Sequence, residues 1–299
     1  MDEEQKLLRF RAADGFLVSG LLTTSGSENR EAMLKTPVLL QIHGLLGHFL
    51  ARGTPRLLPQ ALLDRGFNSL SINTRLASGG QIIGQGIFDD TIHDLDASVE
   101  LLVEEGFENI FVHGYSLGAS MVLYWAANRE DSPAKGLALE GAAFSLPDSR
   151  KKRWARYGSS PTYNEVYEQA KALLGIDPRK ASNDEVFAVY QSAGPSRQPT
   201  DSEIYTYKTW WFMLGPEAHN AMSHRQIAKV QVPMLLMRGE HDELVEEWEP
   251  EALAKIARDA GKVSVRVRQI RGAGHDCMEN ADEMLGELVG MMSGPTGSS

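Results

Sequence analysis

The chain has 299 residues, of which 42% are hydrophobic and 23% charged, with 30 basic and 40 acidic side chains and a formal net charge of −10. This composition is typical of a globular protein with a sizeable core. Nucleic acids and anionic membranes bind basic surfaces, so the acidic balance argues against both as partners.

Cysteine content and hydropathy bear on location. Cys277 is the only cysteine, so no intramolecular disulfide can form. The first residues, "MDEEQKLLRFRAADG", lack the apolar core of a signal peptide. No run of about 18 apolar residues predicts a membrane span. We therefore expect a cytoplasmic protein, with residues 294–299 as a small, polar, disordered tail.

The predicted elements begin with a hairpin, because "KLLRFRAA" and "GFLVSGLLTT" flank the turn signal Asp14-Gly15. Short apolar runs then predict strands at 37–43, 68–73, 109–114, 136–144, 233–239 and 263–270. Amphipathic patterns predict helices near 55–65, 90–105, 117–128, 249–261 and 279–292. This alternation predicts an α/β fold whose mostly parallel sheet is covered by helices on both faces.

Residues 146–225 interrupt the alternation. They contain no strand-like apolar run that we can identify, but helical patterns such as "NEVYEQAKALLG" and 11 of the 23 aromatic side chains. We expect a helical cap here, inserted into a core domain formed by residues 1–145 and 226–293.

The stretch "VHGYSLGAS" at 112–120 places Ser116 between an apolar strand and an apolar helix. A G-x-S-x-G sequence in this context predicts a nucleophile elbow, a sharp turn that exposes the serine hydroxyl. Gly114 and Gly118 would let strand and helix approach closely. The alternative, a serine that only caps the helix, does not explain both glycines.

A serine hydroxyl becomes a strong nucleophile when a base removes its proton and a third group orients that base. His275, in the loop after the last predicted strand, is the candidate base. Asp242, which follows the preceding strand, is the candidate acid. Glu140, a carboxylate in an otherwise apolar strand, is a rival acid, whereas Glu240 and Glu243 fit solvated loop positions.

The negative charge on an attacked carbonyl oxygen needs hydrogen-bond donors that are already in place. The loop "HGLLG" at 43–47 would supply the backbone N–H of Leu45, opposite the N–H of Leu117. His43 and His48 could suggest a metal site, but no third ligand accompanies them, so we interpret both as hydrogen-bonding loop residues. Cys277 fits a small buried apolar residue.

The chain resembles the α/β-hydrolase family over its length outside the cap, because its motifs follow the order and spacing of that family. The motifs that carry the resemblance are "HGLLG" at 43–47, "GYSLG" at 114–118, "GEHDELV" at 239–245 and "GAGH" at 272–275. The resemblance implies a Ser116–His275–Asp242 triad, no cofactor, no metal, and a pocket between sheet and cap. The chain departs from many relatives at residues 73–75 and at Ala119, which leaves the subfamily open.

We therefore expect a serine hydrolase that cleaves a carboxylic ester or lactone of a small to medium apolar molecule through an acyl-enzyme. Within the cap, Trp210 and Trp211 are candidate walls of the substrate pocket. A carbon–carbon bond hydrolase with the same triad is the alternative, followed by an acyltransferase, a lyase or a non-catalytic binding protein. The elbow serine excludes relatives whose nucleophile is a carboxylate.

Overall fold

The computed structural model describes residues 3–25, 30–80, 82–129, 131–191, 202–261 and 263–294. Its strands are β1 (Glu3–Arg11), β2 (Leu17–Ser25), β3 (Val38–Ile42), β4 (Asn68–Asn73), β5 (Ile110–Tyr115), β6 (Ala134–Glu140), β7 (Val186–Tyr190), β8 (Ser202–Thr206), β9 (Met234–Gly239) and β10 (Val265–Ile270). Its α-helices are α1 (Arg30–Lys35), α2 (Thr54–Leu63), α3 (Thr91–Glu105), α4 (Leu117–Ala127), α5 (Leu146–Arg156), α6 (Tyr163–Leu174), α7 (Tyr207–Met213), α8 (Ser223–Gln226), α9 (Trp248–Asp259) and α10 (Ala281–Ser293).

Eight strands form one sheet in the order β1-β2-β4-β3-β5-β6-β9-β10. The first hairpin is antiparallel, β2 pairs antiparallel with β4, and every later neighbour in this sheet is parallel. Gly15 supplies the positive φ, 88°, that the hairpin turn requires. The predicted hairpin and the mostly parallel α/β sheet are both confirmed.

Both faces of the central strands are buried, which explains why these strands are continuously apolar. All five residues of β3 are buried. Leu40 packs into the larger apolar cluster with α3 and α4, whereas its neighbour Leu39 packs on the other face with Leu58 of α2 and Leu285 of α10. This double cover fixes the sheet and therefore the positions of the loops at its carboxyl edge.

Strand β6 ends earlier than its sequence predicts. The apolar run continues to Phe144, but the strand stops at Glu140 because Gly141 adopts a positive φ of 62° and turns the chain away. The expected strand end at residue 144 is therefore wrong. The earlier end places Glu140 at the carboxyl edge of the sheet, beside the elbow.

The segment 146–225 contains a strand pair that we did not expect. β7 and β8 pair antiparallel, from Val186 with Thr206 to Tyr190 with Ser202. The expectation of a strand-free cap is wrong because β7 and β8 have only five residues each, too few for a clear strand pattern, and they pair with each other within the segment. Helices α5, α6 and α7 also lie in this segment, and its division from the core as a separate cap stays a prediction.

The chain between β4 and α3 connects the sheet to this segment. Ile83 N–H donates to Ile204 O (3.0 Å), and Thr209 Oγ1 donates to Gly86 O (2.7 Å). Buried Arg75 anchors the start of this connection by ion pairs to exposed Asp14 (2.6 Å) and to buried Asp94 (2.7 Å).

Two predictions concern the chain ends and membranes. The predicted tail lies almost wholly outside the described residues, which end at Gly294. Among the helices that the structure describes, none combines the length and the apolar character needed to cross a membrane.

Candidate active site

Ser116 occupies the turn between β5 and α4 with φ 53° and ψ −116°. A residue other than glycine at positive φ costs about 1–3 kcal/mol and persists only where its surroundings impose it. The side chain makes no capping hydrogen bond to α4. Its Oγ instead lies 2.8 Å from His275 Nε2, so the helix-cap alternative is wrong.

Close backbone approach explains the two glycines of the elbow. A Cβ placed on Gly114 would collide with the carbonyl oxygen of Gly118. A Cβ placed on Gly118 would lie 2.6 Å from the carbonyl oxygen of Ile42 in β3. The prediction that these glycines permit close packing of strand and helix is confirmed.

His275 and Asp242 lie on the loops after β10 and β9. His275 Nδ1 lies 2.8 Å from Asp242 Oδ2, and Asp242 Oδ1 accepts the N–H groups of Leu244 (2.7 Å) and Val245 (3.0 Å). Burial would raise the pKa of Asp242, but the hydrogen bond and charge of His275 and these two N–H groups outweigh burial and hold the pKa below its ordinary value. The aspartate is therefore ionised at neutral pH and aligns the imidazole toward Ser116.

Arg238 braces the aspartate loop, a function that we did not assign from sequence. Its Nε donates to Val245 O (2.8 Å) and its Nη2 donates to Asp242 O (3.0 Å). The Arg238 side chain is buried at the end of an apolar strand. An arginine inside the apolar run "PMLLMRG" could have indicated this function, because a buried guanidinium group needs several hydrogen-bond acceptors.

The loop 43–47 packs directly against the elbow. A Cβ placed on Gly44 would lie 2.9 Å from the Tyr115 ring and 3.2 Å from Ser116 Cβ. The N–H of Leu117, in the first turn of α4, has no acceptor within that helix. The loop and the helix start thus flank the serine hydroxyl, as an oxyanion site would require.

His43 fixes the orientation of this loop. Its Nδ1 donates to Gly44 O (2.9 Å), and its Nε2 accepts from Thr74 N–H (3.3 Å) and lies 3.0 Å from Thr74 Oγ1. The carbonyl and the N–H of a trans peptide point in opposite directions. The bond to Gly44 O therefore directs the N–H of Leu45 away from His43.

The histidines of this loop are both engaged in hydrogen bonds within the chain. His48 Nδ1 accepts the N–H of Leu50 (3.2 Å), and both ring nitrogens of His43 are occupied as described. Their interpretation as loop-structuring residues is confirmed. Within the described ranges, no group of three or more potential ligands converges on a metal position.

Glu140 does not contact His275 through its carboxylate. The Oε2 atom lies 3.0 Å from His113 Nε2, and the Oε1 atom accepts from Thr54 Oγ1 (2.8 Å). The structure thus brings Ser116 and His275 together with Asp242 and leaves the rival carboxylate outside this chain of hydrogen bonds.

The two candidate pocket tryptophans lie in different environments. Trp210 has no exposed surface and packs edge-on against Trp154 and Tyr163, with ring centroids 6.4 and 5.1 Å away. Its assignment to a pocket wall is wrong for this conformation, because its ring completes the apolar interior of segment 146–225. Trp211 is half-buried and stacks on Tyr167 at 5.5 Å, and its place in a pocket stays a prediction.

Residues 35–282 match the family model described as serine aminopeptidase, S33. The chain belongs to this α/β-hydrolase family. The match spans the loop 43–47, the elbow, and the loops of Asp242 and His275. No curated protein matches the sequence of this hydrolase.

Several solved structures share its fold. The Pyrococcus furiosus esterase Pf2001 is 17% identical, with a TM-score of 0.62 over 97% of this chain and 90% of that one. Est1E from Butyrivibrio proteoclasticus, also known with ferulic acid bound, is 19% identical, with a TM-score of 0.59 over 95% of each chain. The hypothetical protein PA2218 from Pseudomonas aeruginosa is 16% identical, with a TM-score of 0.68 over 97% of this chain and 93% of that one.

We expect His43 to make the stability of the hydrolase sensitive to acid. Burial lowers its pKa from 6.5 to about 4, so as pH falls the unfolded chain binds a proton here before the folded chain does. The stabilisation is complete above about pH 6.5 and is lost on descent toward pH 4. Between pH 7 and 5 the loss is about 2 kcal/mol, at 1.36 kcal/mol per pH unit.

Urea unfolding at pH 7 and pH 5 measures this loss. We expect His43→Asn, which retains a donor for Gly44 O, to lose about 2 kcal/mol less than the parent between these two pH values. An equal loss in parent and variant would show that another group controls the acid sensitivity.

Proposed function

We propose that this hydrolase cleaves a carboxylic ester or lactone of a small to medium apolar molecule through an acyl-enzyme formed on Ser116. The observation that carries the proposal is the continuous hydrogen-bond chain from Ser116 Oγ to His275 Nε2 and from His275 Nδ1 to Asp242 Oδ2, each contact 2.8 Å long. Nucleophile, base and orienting acid within hydrogen-bond reach are the arrangement that activates a serine.

In the acylation half of the reaction, His275 Nε2 accepts the proton of Ser116 as its Oγ attacks the carbonyl carbon. The carbonyl π-electrons move to the oxygen, where the N–H groups of Leu45 and Leu117 stabilise the negative charge. When the tetrahedral intermediate collapses, the carbon–oxygen bond of the ester breaks. The imidazolium of His275 gives its proton to the departing alcohol, which leaves the acyl group on Ser116.

In the deacylation half, water replaces the alcohol. His275 Nε2 removes a proton from the water as its oxygen attacks the acyl carbon, and the same two N–H groups stabilise the second tetrahedral intermediate. Collapse releases the carboxylic acid and returns the proton to Ser116 Oγ. Throughout, ionised Asp242 holds the imidazole in one tautomer and stabilises its positive form.

Two observations support the substrate class. The similar folds include the esterase Pf2001, and the aromatic content of segment 146–225 fits an apolar substrate. The family model is named for an aminopeptidase, so amides belong in any test panel. Carbon–carbon cleavage beneath a helical cap remains the alternative.

Replacing the nucleophile gives the most direct test. We expect Ser116→Ala to lower kcat on p-nitrophenyl butyrate by several orders of magnitude and to abolish labelling by a fluorophosphonate probe, because the reacting oxygen is gone. Intact-mass and peptide-mapping spectrometry of the labelled parent locates the adduct. An adduct on a residue other than Ser116, or a parent that does not label, would contradict the assignment.

The two carboxylates can be separated by matched amide substitutions. We expect Asp242→Asn to lower kcat by roughly 10⁴, because the amide favours the wrong tautomer of His275. Glu140→Gln should reduce kcat far less, because its carboxylate does not bond the imidazole. Steady-state kinetics of both variants on one ester measures the two losses of kcat. A larger loss in Glu140→Gln than in Asp242→Asn would make Glu140 the catalytic acid.

Chain-length preference tests the closed apolar pocket. Each buried methylene contributes about 0.8 kcal/mol, so kcat/KM should rise up to roughly fourfold per carbon along p-nitrophenyl esters until the pocket is full. We expect an optimum below the long chains, and Trp211→Ala should shift it while changing the acetate rate less. Trp210→Ala is the matched control, since removing this fully buried ring should reduce stability by about 3–5 kcal/mol.

Other outcomes of the same panel would redirect the proposal. A flat profile, or an optimum at palmitate, would contradict a closed pocket. Activity on an amino acid p-nitroanilide but on no ester would favour an aminopeptidase. Cleavage of a vinylogous 1,5-diketone in the absence of esterase activity would favour carbon–carbon hydrolysis. Ferulate esters belong in the panel because a similar fold binds ferulic acid.

A further inference from the structure

We propose that Glu140 is a positioning residue, whose buried carboxylate fixes the loop that carries His275 relative to the elbow that carries Ser116. The inference rests on the proposed function, in which these two residues react. It assigns a role to a carboxylate that the triad chemistry does not use.

Two donors bind this carboxylate, and the thiol of Cys277 lies near it. Glu140 is fully buried, as are His113 and Thr54, whose Nε2 and Oγ1 atoms lie 3.0 and 2.8 Å from its two oxygens. Burial raises the pKa of the Cys277 thiol, and the charge and hydrogen bond of Glu140 raise it further. A buried carboxylate without such partners would be strongly destabilising, so the cluster holds the group in one orientation.

Thr54 connects Glu140 to the histidine loop, and Cys277 lies on that loop. Thr54 Oγ1 lies 2.9 Å from the carbonyl oxygen of Asp276, so its single proton is shared between that oxygen and Glu140. Cys277 adopts a positive φ of 54°, a conformation that L-residues rarely adopt without support from their surroundings. The two residues that follow His275 are therefore both linked to this cluster.

The backbone of the same residue contacts the elbow. The carbonyl oxygen of Glu140 accepts the N–H of Ser116 at 2.7 Å. A Cβ on the next residue, Gly141, would lie 2.7 Å from Cε1 of the His275 ring, so this peptide lies against the imidazole. One residue thus holds the nucleophile by its main chain and the loop of the base by its side chain.

Catalysis depends steeply on this relative position. A misplacement of about 1 Å can cost roughly 10²-fold in rate, because the reacting groups must be aligned before reaction. Loss of one donor should therefore reduce kcat by about 10- to 100-fold and leave KM within about twofold, since the cluster does not contact the substrate. A purely structural cluster would instead lower stability and leave kcat per folded molecule unchanged.

The test removes the Thr54 hydroxyl from the full chain. Thr54→Val keeps the shape of the side chain and deletes the donor, whereas Thr54→Ser restores it. Thr91→Val is a matched control, because Thr91 is also fully buried, begins helix α3, and donates from Oγ1 to Phe88 O at 2.7 Å. Activity on p-nitrophenyl butyrate is expressed per active site by fluorophosphonate titration.

We expect Thr54→Val to lower kcat by about 10-fold or more, Thr54→Ser to recover most of it, and Thr91→Val to lose stability without losing kcat. Unchanged kcat in Thr54→Val would overturn the proposal, as would an equal loss in Thr91→Val. If Thr54→Val does not fold, Cys277→Ala removes the thiol that lies near Glu140 and Cys277→Ser replaces it with a hydroxyl donor, with the same expected contrast.

A spectroscopic readout separates this proposal from the proposed function. Proton NMR detects the hydrogen-bonded Nδ1 proton between His275 and Asp242 whether or not an ester is cleaved. We expect this resonance to shift or broaden in Thr54→Val and to stay unchanged in Thr91→Val. An unchanged resonance in both would overturn the positioning role, whereas a parent that neither labels nor cleaves any ester would overturn only the function.

Discussion

The close approach of β3, β5 and α4 is the constraint on which the rest of the site depends. Only glycine fits at residues 114 and 118, where an added Cβ would meet main-chain carbonyl atoms. This contact forces Ser116 to positive φ, at a cost that the buried strand and helix on either side offset. The candidate nucleophile is therefore fixed by backbone packing rather than by contacts of its own side chain. Gly44 brings a third segment against the same turn.

Sheet topology gathers the remaining groups. Parallel strands end at one edge, and β5, β6, β9 and β10 are consecutive neighbours there. Asp242 follows β9, and Glu140 is the last residue of β6. The two carboxylates nevertheless have different surroundings. The carboxylate of Asp242 is bound by main-chain N–H groups and by the imidazole. The carboxylate of Glu140 is bound by a second histidine and a hydroxyl. One sheet edge thus carries two buried carboxylates with separate partners.

The packing of segment 146–225 differs from that of the sheet. Its aromatic residues mainly pack on one another, as Trp154, Tyr163 and Trp210 do in edge-on contacts. A segment of this size needs buried apolar area to stay folded, and large rings supply much buried area per residue. Aromatic abundance is therefore weak evidence for a substrate pocket. Hydrogen bonds between this segment and the chain that follows β4 position the segment relative to the core.

The sequence by itself determined the α/β sheet, the elbow and the candidate triad residues, because periodicity and close glycine spacing are local signals. Packing between elements had to be read from the tertiary structure. The pairing of β7 with β8 and the burial of Trp210 depend on such packing, which local patterns do not identify. The same holds for Glu140, whose oxygens meet His113 of the adjacent strand and Thr54, 86 residues away along the chain. A carboxylate in an apolar strand reveals that partners must exist, since burial demands them, but only the fold shows which residues they are.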